Sequence, residues 1–105
     1  MEISGRTRVF GIIGYPVEHS LSPLMHNTAF RFLGLDSVYV PFSVLPGSIR
    51  EAGEGMRALG IAGFNVTVPH KEAILPYLDS LSPEASLFGA VNTVKNEDGL
   101  LKGFN

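Results

Sequence analysis

The 105 residues contain no cysteine and no tryptophan. Without cysteine there is no disulfide framework, no thiolate metal site and no thiol nucleophile. That fits a reducing cytoplasm, the location expected for the chain. A surplus of one charge is also missing: Lys and Arg number 8 against 10 Asp and Glu, for a formal net charge of −2. The balance argues against a phosphate-backbone binder, so no nucleic-acid partner is expected. No apolar run approaches the ~20 residues a membrane span needs, so no membrane partner is expected either. The start, Met1-Glu2-Ile3-Ser4-Gly5-Arg6, lacks the basic-then-apolar layout of a secretory signal. Gly11-Ile12-Ile13-Gly14 is not a G-x-G-x-x-G fingerprint and no Walker loop occurs, so these residues offer no nucleotide-phosphate site. His19, His26 and His70 show no metal-ligand spacing with carboxylates, and no metal is implied.

What remains is a chain that is 45% hydrophobic and 17% charged, too apolar for disorder and sized for one domain. A chain of this length can hide roughly two-thirds of its unfolded surface, enough for a core without staples. Val9 to Ile13 reads as a short buried strand. Ser22 is expected as N-cap and Pro23 as first residue of a helix, with Leu24, Met25, Thr28, Ala29 and Phe32 at helical spacing and Gly34 as its stop. Ser37 to Val44 reads as a second strand, and Pro41 inside it points to an edge or a bulge. Pro46-Gly47-Ser48 opens a second helix with Ile49, Ala52, Met56 and Leu59 facing inward, closed by Gly60. Ile61 to Val68 is a third strand, Pro69 to Leu75 a short helix, and Ser82-Pro83-Glu84 the start of another that reaches Phe88. Ala90 to Lys95 and Leu100 to Phe104 read as strands around the tight turn Asn96-Glu97-Asp98-Gly99. Strand alternating with helix predicts an α/β fold: three layers, α/β/α, around a mixed, mostly parallel sheet.

Three polar groupings fall at the ends of these strands, where open α/β sheets bind ligands. In His19-Ser20-Leu21-Ser22-Pro23, two hydroxyls lie two residues apart at a helix start and make an anion site suited to a carboxylate. On spacing alone a capping role for Ser22 is the simpler account, because Ser-x-Ser-Pro is common. In Phe64-Asn65-Val66-Thr67-Val68-Pro69-His70-Lys71, alternation puts Asn65 and Thr67 on one face and Phe64, Val66 and Val68 on the other. An amide and a hydroxyl on a central strand need partners, and a polyhydroxylated ligand supplies them; a half-exposed strand with polar residues facing water explains them as well. Lys71 is expected in the first turn of the helix begun by Pro69, where an ammonium opposes the helix dipole. Desolvated, such a lysine exchanges protons with a ligand oxygen; otherwise it is a surface lysine beside Glu72, and both readings stand open. The third grouping is Gly89-Ala90-Val91-Asn92-Thr93, where Asn92 either bridges backbone or reads a ligand hydroxyl.

Taken in order, these stretches resemble the N-terminal, substrate-binding domain of the shikimate dehydrogenase family. The matching segments are Ile13-Gly14-Tyr15-Pro16 through His19-Ser20-Leu21-Ser22-Pro23-Leu24-Met25-His26-Asn27, then Gly63 through Lys71, then Gly89 through Thr93, then Gly103-Phe104-Asn105. They span nearly the whole chain. The resemblance implies an amino-acid-dehydrogenase-like N-terminal domain over residues 1–105, part of a two-domain enzyme of aromatic amino acid biosynthesis that reduces 3-dehydroshikimate to shikimate with NADPH. It implies that Ser20 and Ser22 bind the substrate carboxylate, that Asn65, Thr67 and Asn92 contact ring hydroxyls, and that Lys71 both touches substrate and is the acid–base group at the C3 oxygen. In the family an aspartate shortly after Gly-x-Asn pairs with the lysine, and a Rossmann-type domain binds NADP. This chain stops at Asn105 before either, so it is expected to be a fragment, without a cofactor site of its own and inactive alone. A quinate/shikimate dehydrogenase using NAD and a stand-alone metabolite-binding module are the alternatives; the reading frame beyond Asn105 separates the second from the first. Self-association is expected wherever a severed face is left open.

Overall fold

The computed structural model describes residues 2–105. Its centre is β1 (Arg8–Gly14), whose neighbouring isoleucines point opposite ways: Ile12 into one apolar cluster, Ile13 into another. A strand buried on both faces has to be internal. α1 (Ser22–Leu33) leads to β2 (Ser37–Ser43), and α2 (Ile49–Ala58) leads on to β3 (Gly63–Val66). β2 and β3 flank β1, both parallel to it. The rest of the chain adds β4 (Ser80–Leu81), α3 (Pro83–Phe88), β5 (Thr93–Glu97) and β6 (Leu100–Phe104). Six strands among the described residues form one sheet ordered β2-β1-β3-β5-β6-β4. β5 is antiparallel to β3 and β6, and β4 is parallel to β6. The mixed, mostly parallel sheet expected from the sequence is present.

The larger cluster joins Ile13, Phe64, Val66, Val94 and Leu101 of the sheet to Ile49 and Met56 of α2 and Ala85 of α3. The smaller one packs Ile12, Val17 and Tyr39 against Phe10 and Phe30, on the side that carries α1. Helices on both faces give the three layers. Pro41 lies on edge strand β2, as its missing N–H requires. Gly34, Gly60 and Gly89 close their helices with left-handed φ of 67°. Asp98 and Gly99, at φ 54° and 89°, turn β5 into β6.

Several expected details differ. The N-cap of α1 is Leu21, not Ser22, and no side chain caps it in that role; Ser22 already has helical position. The face of α1 that meets the sheet carries His26, Asn27 and Phe30, whereas Leu24, Met25 and Phe32 point out, Phe32 being 89% exposed. The reason lies in the edge strand. The Asn27 amide takes both the Tyr39 N–H, at 2.8 Å, and the Tyr39 carbonyl, at 2.9 Å, so it covers backbone groups that an apolar residue would leave bare. In α2, Gly53 is buried and Leu59 is 78% exposed, because the helix ends at Ala58 before Leu59 can turn inward. β3 stops at Val66, and Val68 is exposed. Residues 69–74 form turns rather than a helix, followed by a 3₁₀ turn at Leu75–Tyr77. β5 begins at Thr93, so Asn92 precedes the strand.

Candidate functional site

β1 and β3 run parallel and end at the same edge of the sheet, and β5, antiparallel to β3, begins there: Asn65 pairs with Thr93. β6 ends there too, with Phe104 opposite Thr93. The topology therefore brings the loop after β1, the turns after β3 and the segment before β5 to one rim. Two successive crossovers leave from this rim in opposite directions along the sheet, the position where open α/β sheets bind ligands.

Backbone bonds tie these segments together. The Thr67 N–H donates to the Ile13 carbonyl at 3.0 Å and the Tyr15 N–H to the Val68 carbonyl at 3.1 Å, which locks the serine loop to the lysine turn. The Val91 N–H donates to the Lys71 carbonyl at 3.0 Å, and the Val66 N–H to the Asn92 carbonyl at 2.9 Å. His70 explains why this turn is not a helix. Its ring is fully buried, with Nε2 2.6 Å from the Val44 carbonyl and Nδ1 without a partner. That anchor to the end of β2 overrides the helical pattern of Pro69 to Leu75, so the argument that Lys71 opposes a helix dipole does not apply. Lys71 is exposed.

Ser20 lies in the loop before α1, with its Oγ accepting the Ser22 N–H at 3.2 Å. Ser22 lies in the first turn of α1, where its hydroxyl slightly lowers the pKa of the Tyr39 phenol. Tyr39 in turn donates to Asn65 Oδ1 at 2.6 Å. The Asn65 amide nitrogen donates to the Asn92 carbonyl at 3.3 Å and to Thr93 Oγ1 at 3.2 Å, and Thr93 donates to Asn92 Oδ1 at 3.0 Å. One hydrogen-bonded string thus runs Tyr39, Asn65, Thr93, Asn92. It meets the donor and acceptor needs of Asn65 within the protein, so a ligand is not required to satisfy that amide. Thr67 is half-buried, its methyl against Gly14.

Sequence reasoning missed Tyr39 and Thr93. Tyr39 is 4% exposed, its ring stacked on His26 with centroids 4.3 Å apart and planes at 11°. Burial pushes its phenol up to about 12, against a smaller lowering effect of the Ser22 hydroxyl. A signal existed: a buried tyrosine in a strand needs a partner for its hydroxyl. A cleft of about 430 Å³ opens beside α1, lined by Phe10, His26, Phe30, Tyr39 and Asn65 and reaching Arg8 and Lys95 at the opposite end. Tyr39, Asn65 and Thr93 are common to cleft and rim; Ser20, Ser22, Thr67, Lys71 and Asn92 do not line the cleft. No group of three His, Asp or Glu among the described residues is placed to hold a metal ion. No helix among them is long and apolar enough to cross a membrane.

A family model for the shikimate dehydrogenase substrate binding domain matches residues 12–94. The chain belongs to this family of substrate domains. Among its relatives, shikimate dehydrogenase (NADP(+)) of Geobacter metallireducens is 60% identical over the whole chain, and that of Methanothermobacter thermautotrophicus is 57% identical over 98% of it. The crystal structure of shikimate 5-dehydrogenase from Listeria monocytogenes, in complex with shikimate and NAD, is 50% identical and superposes over 99% of the chain with a TM-score of 0.95. The chain spans 36–37% of the length of these relatives.

Proposed function

We propose that residues 1–105 are the substrate domain of a two-domain, cytoplasmic shikimate dehydrogenase that reduces 3-dehydroshikimate to shikimate with NADPH. The convergence on one rim of the serine loop, the hydrogen-bonded string from Tyr39 to Asn92, and Lys71 tethered beside Asn92 through Val91 is the observation that carries this reading. Ser20 and Ser22 hold the substrate carboxylate through their hydroxyls. Asn65, Thr67 and Asn92 meet the ring hydroxyls. Lys71, as an ammonium, gives its proton to the C3 oxygen as that carbonyl is reduced, and as an amine takes it back in the reverse direction.

The nicotinamide cofactor does not fit the residues present. The one glycine near the start of the β1–α1 loop, Gly14, lies with its open side against the Thr67 methyl, so it is not the open glycine turn on which a pyrophosphate rests. The hydride source is therefore placed outside these 105 residues, which by themselves bind substrate without turning it over. The names of the two close relatives favour NADP; the NAD in the Listeria complex keeps NAD as the second reading. A steady-state assay with shikimate and each dinucleotide tests both parts. Turnover is expected from the natural polypeptide that carries this chain and none from residues 1–105 alone. Turnover by the 105 residues, or no shikimate oxidation by the natural polypeptide, contradicts the reading.

A further inference from the structure

Thr93 has no part in the reading above, yet it stands between the two amides assigned to the ring hydroxyls. The direction of its bonds follows from one group that can only accept, the Asn92 carbonyl. The Asn65 atom that faces that carbonyl at 3.3 Å is therefore the amide nitrogen, whose other hydrogen goes to Thr93 Oγ1 at 3.2 Å. That leaves Asn65 Oδ1 facing Tyr39, whose phenol gives it a proton at 2.6 Å. An amide nitrogen accepts nothing, so the Thr93 proton goes the other way, to the Asn92 side chain at 3.0 Å. Only the Asn92 orientation with Oδ1 toward Thr93 uses that proton. Asn65, Thr93 and Asn92 thus form a one-way row of donors.

The row decides what each amide has left for a ligand. Both amide hydrogens of Asn65 are engaged, so Asn65 offers only the second lone pair of Oδ1. Asn92 is exposed and its Nδ2 has no partner among the described residues, so Asn92 offers N–H groups. A hydroxyl answers either amide, because it both gives and takes a hydrogen bond. An ether oxygen answers only Asn92, and an ammonium only Asn65. We propose that Thr93 is a positioning residue that sets this polarity: by taking a hydrogen from Asn65 and giving its own to Asn92, it holds one acceptor and one donor ready for ligand hydroxyls. The inference rests on the substrate reading above and adds a reason for preferring a hydroxylated acid over a plain one.

The test compares shikimate with cyclohex-1-ene-1-carboxylate, which keeps acid and ring and lacks the hydroxyls. Dissociation constants are measured by titration calorimetry on the natural polypeptide that carries this chain, the weaker ligand by displacement of shikimate, with thermal unfolding of each variant alongside. Thr93→Val keeps the shape and removes the hydroxyl. The preference for shikimate over the plain acid is expected to shrink about five-fold in Thr93→Val, the scale of one hydrogen bond. If Thr93→Val does not fold, Thr93→Ala carries the same expectation. Thr93→Ser keeps the hydroxyl and is expected to hold the preference within about two-fold of the unsubstituted polypeptide. An unchanged preference without the hydroxyl, or a loss shared equally by both ligands as a merely structural role produces, overturns the inference. So does a Thr93→Ser variant that loses as much preference as Thr93→Val. Failure of the unsubstituted polypeptide to bind shikimate at all is a separate outcome and overturns the substrate reading, and the inference with it.

Discussion

The methyl of Thr67 occupies the space that a side chain on Gly14 would need. The contact joins the end of β1, where the serine loop starts, to the turn that carries Lys71. A Cβ there meets a short β-branched side chain whose backbone is bonded to Ile13, so one of the two segments has to shift. Gly14→Ala is expected to destabilise the chain by about 1–3 kcal/mol, the usual cost of overpacking. Adding Thr67→Ser, which deletes the methyl, is expected to restore most of it. Chemical denaturation of the two variants checks this; equal stability of Gly14→Ala and the unsubstituted chain contradicts it.

Binding and proton transfer are assigned to different residues, so they separate in kinetics. Ser20→Ala is expected to raise KM for shikimate about ten-fold, because it removes a hydroxyl donor to a charged group. Lys71→Ala is expected to lower kcat by about 10²-fold or more with KM nearly unchanged, the scale of a lost general acid–base. Steady-state kinetics of both variants in the natural polypeptide check it. A raised KM at constant kcat in Lys71→Ala removes Lys71 from the acid–base role.

The small strand β4 begins one residue after Asp79, which is held from two sides. The Leu101 N–H reaches its carboxylate at 2.7 Å and Arg57 at 2.8 Å, and these bonds keep the carboxyl below the usual carboxylate range. A lowered native pKa contributes stability above the unfolded carboxylate value and loses it as pH falls through the native one. The chain is expected to lose stability on the acid side, with Asp79→Asn showing a flatter acid limb. Thermal unfolding between pH 2 and 6 follows this; identical limbs contradict it.

At the other end of the scale, Tyr39 is pushed up to about 12 by burial. Here the native value lies above the unfolded one near 10, so the stabilisation is complete below about pH 10 and declines as pH rises from about 10 toward 12. Tyr39→Phe is expected to unfold with a shallower alkaline limb. Fluorescence- or absorbance-detected titration of the native phenols reports the same residue, as one tyrosine that ionises late.

The strand–helix alternation, the edge placement of Pro41 and the glycine stops were legible because each rests on a local rule: period, missing N–H, left-handed φ. The lysine turn was not. Pro69 followed by Ile74 and Leu75 has a helical pattern, but the buried His70 ring is claimed by the Val44 carbonyl, 26 residues earlier and just past the end of β2. The inward face of α1 was not legible, because Leu24, Met25 and Phe32 are apolar yet point outward, while the sheet-facing side uses Asn27 to cover backbone groups of an edge strand. The motifs contain Ser20, Ser22, Asn65, Thr67, Lys71 and Asn92; Tyr39, whose phenol donates to Asn65, sits on a strand outside every motif. Contacts between distant segments leave no periodic trace in a sequence.

The account's central claim is a location, and amide chemical shifts read it residue by residue. Shikimate titrated into isotope-labelled protein is expected to move the signals of Ser20, Ser22, Asn65, Thr67, Lys71 and Asn92, at the rim where β1 and β3 end. Shifts confined to Arg8, Phe10, Phe30 and Lys95, in the cleft alongside α1, would contradict it.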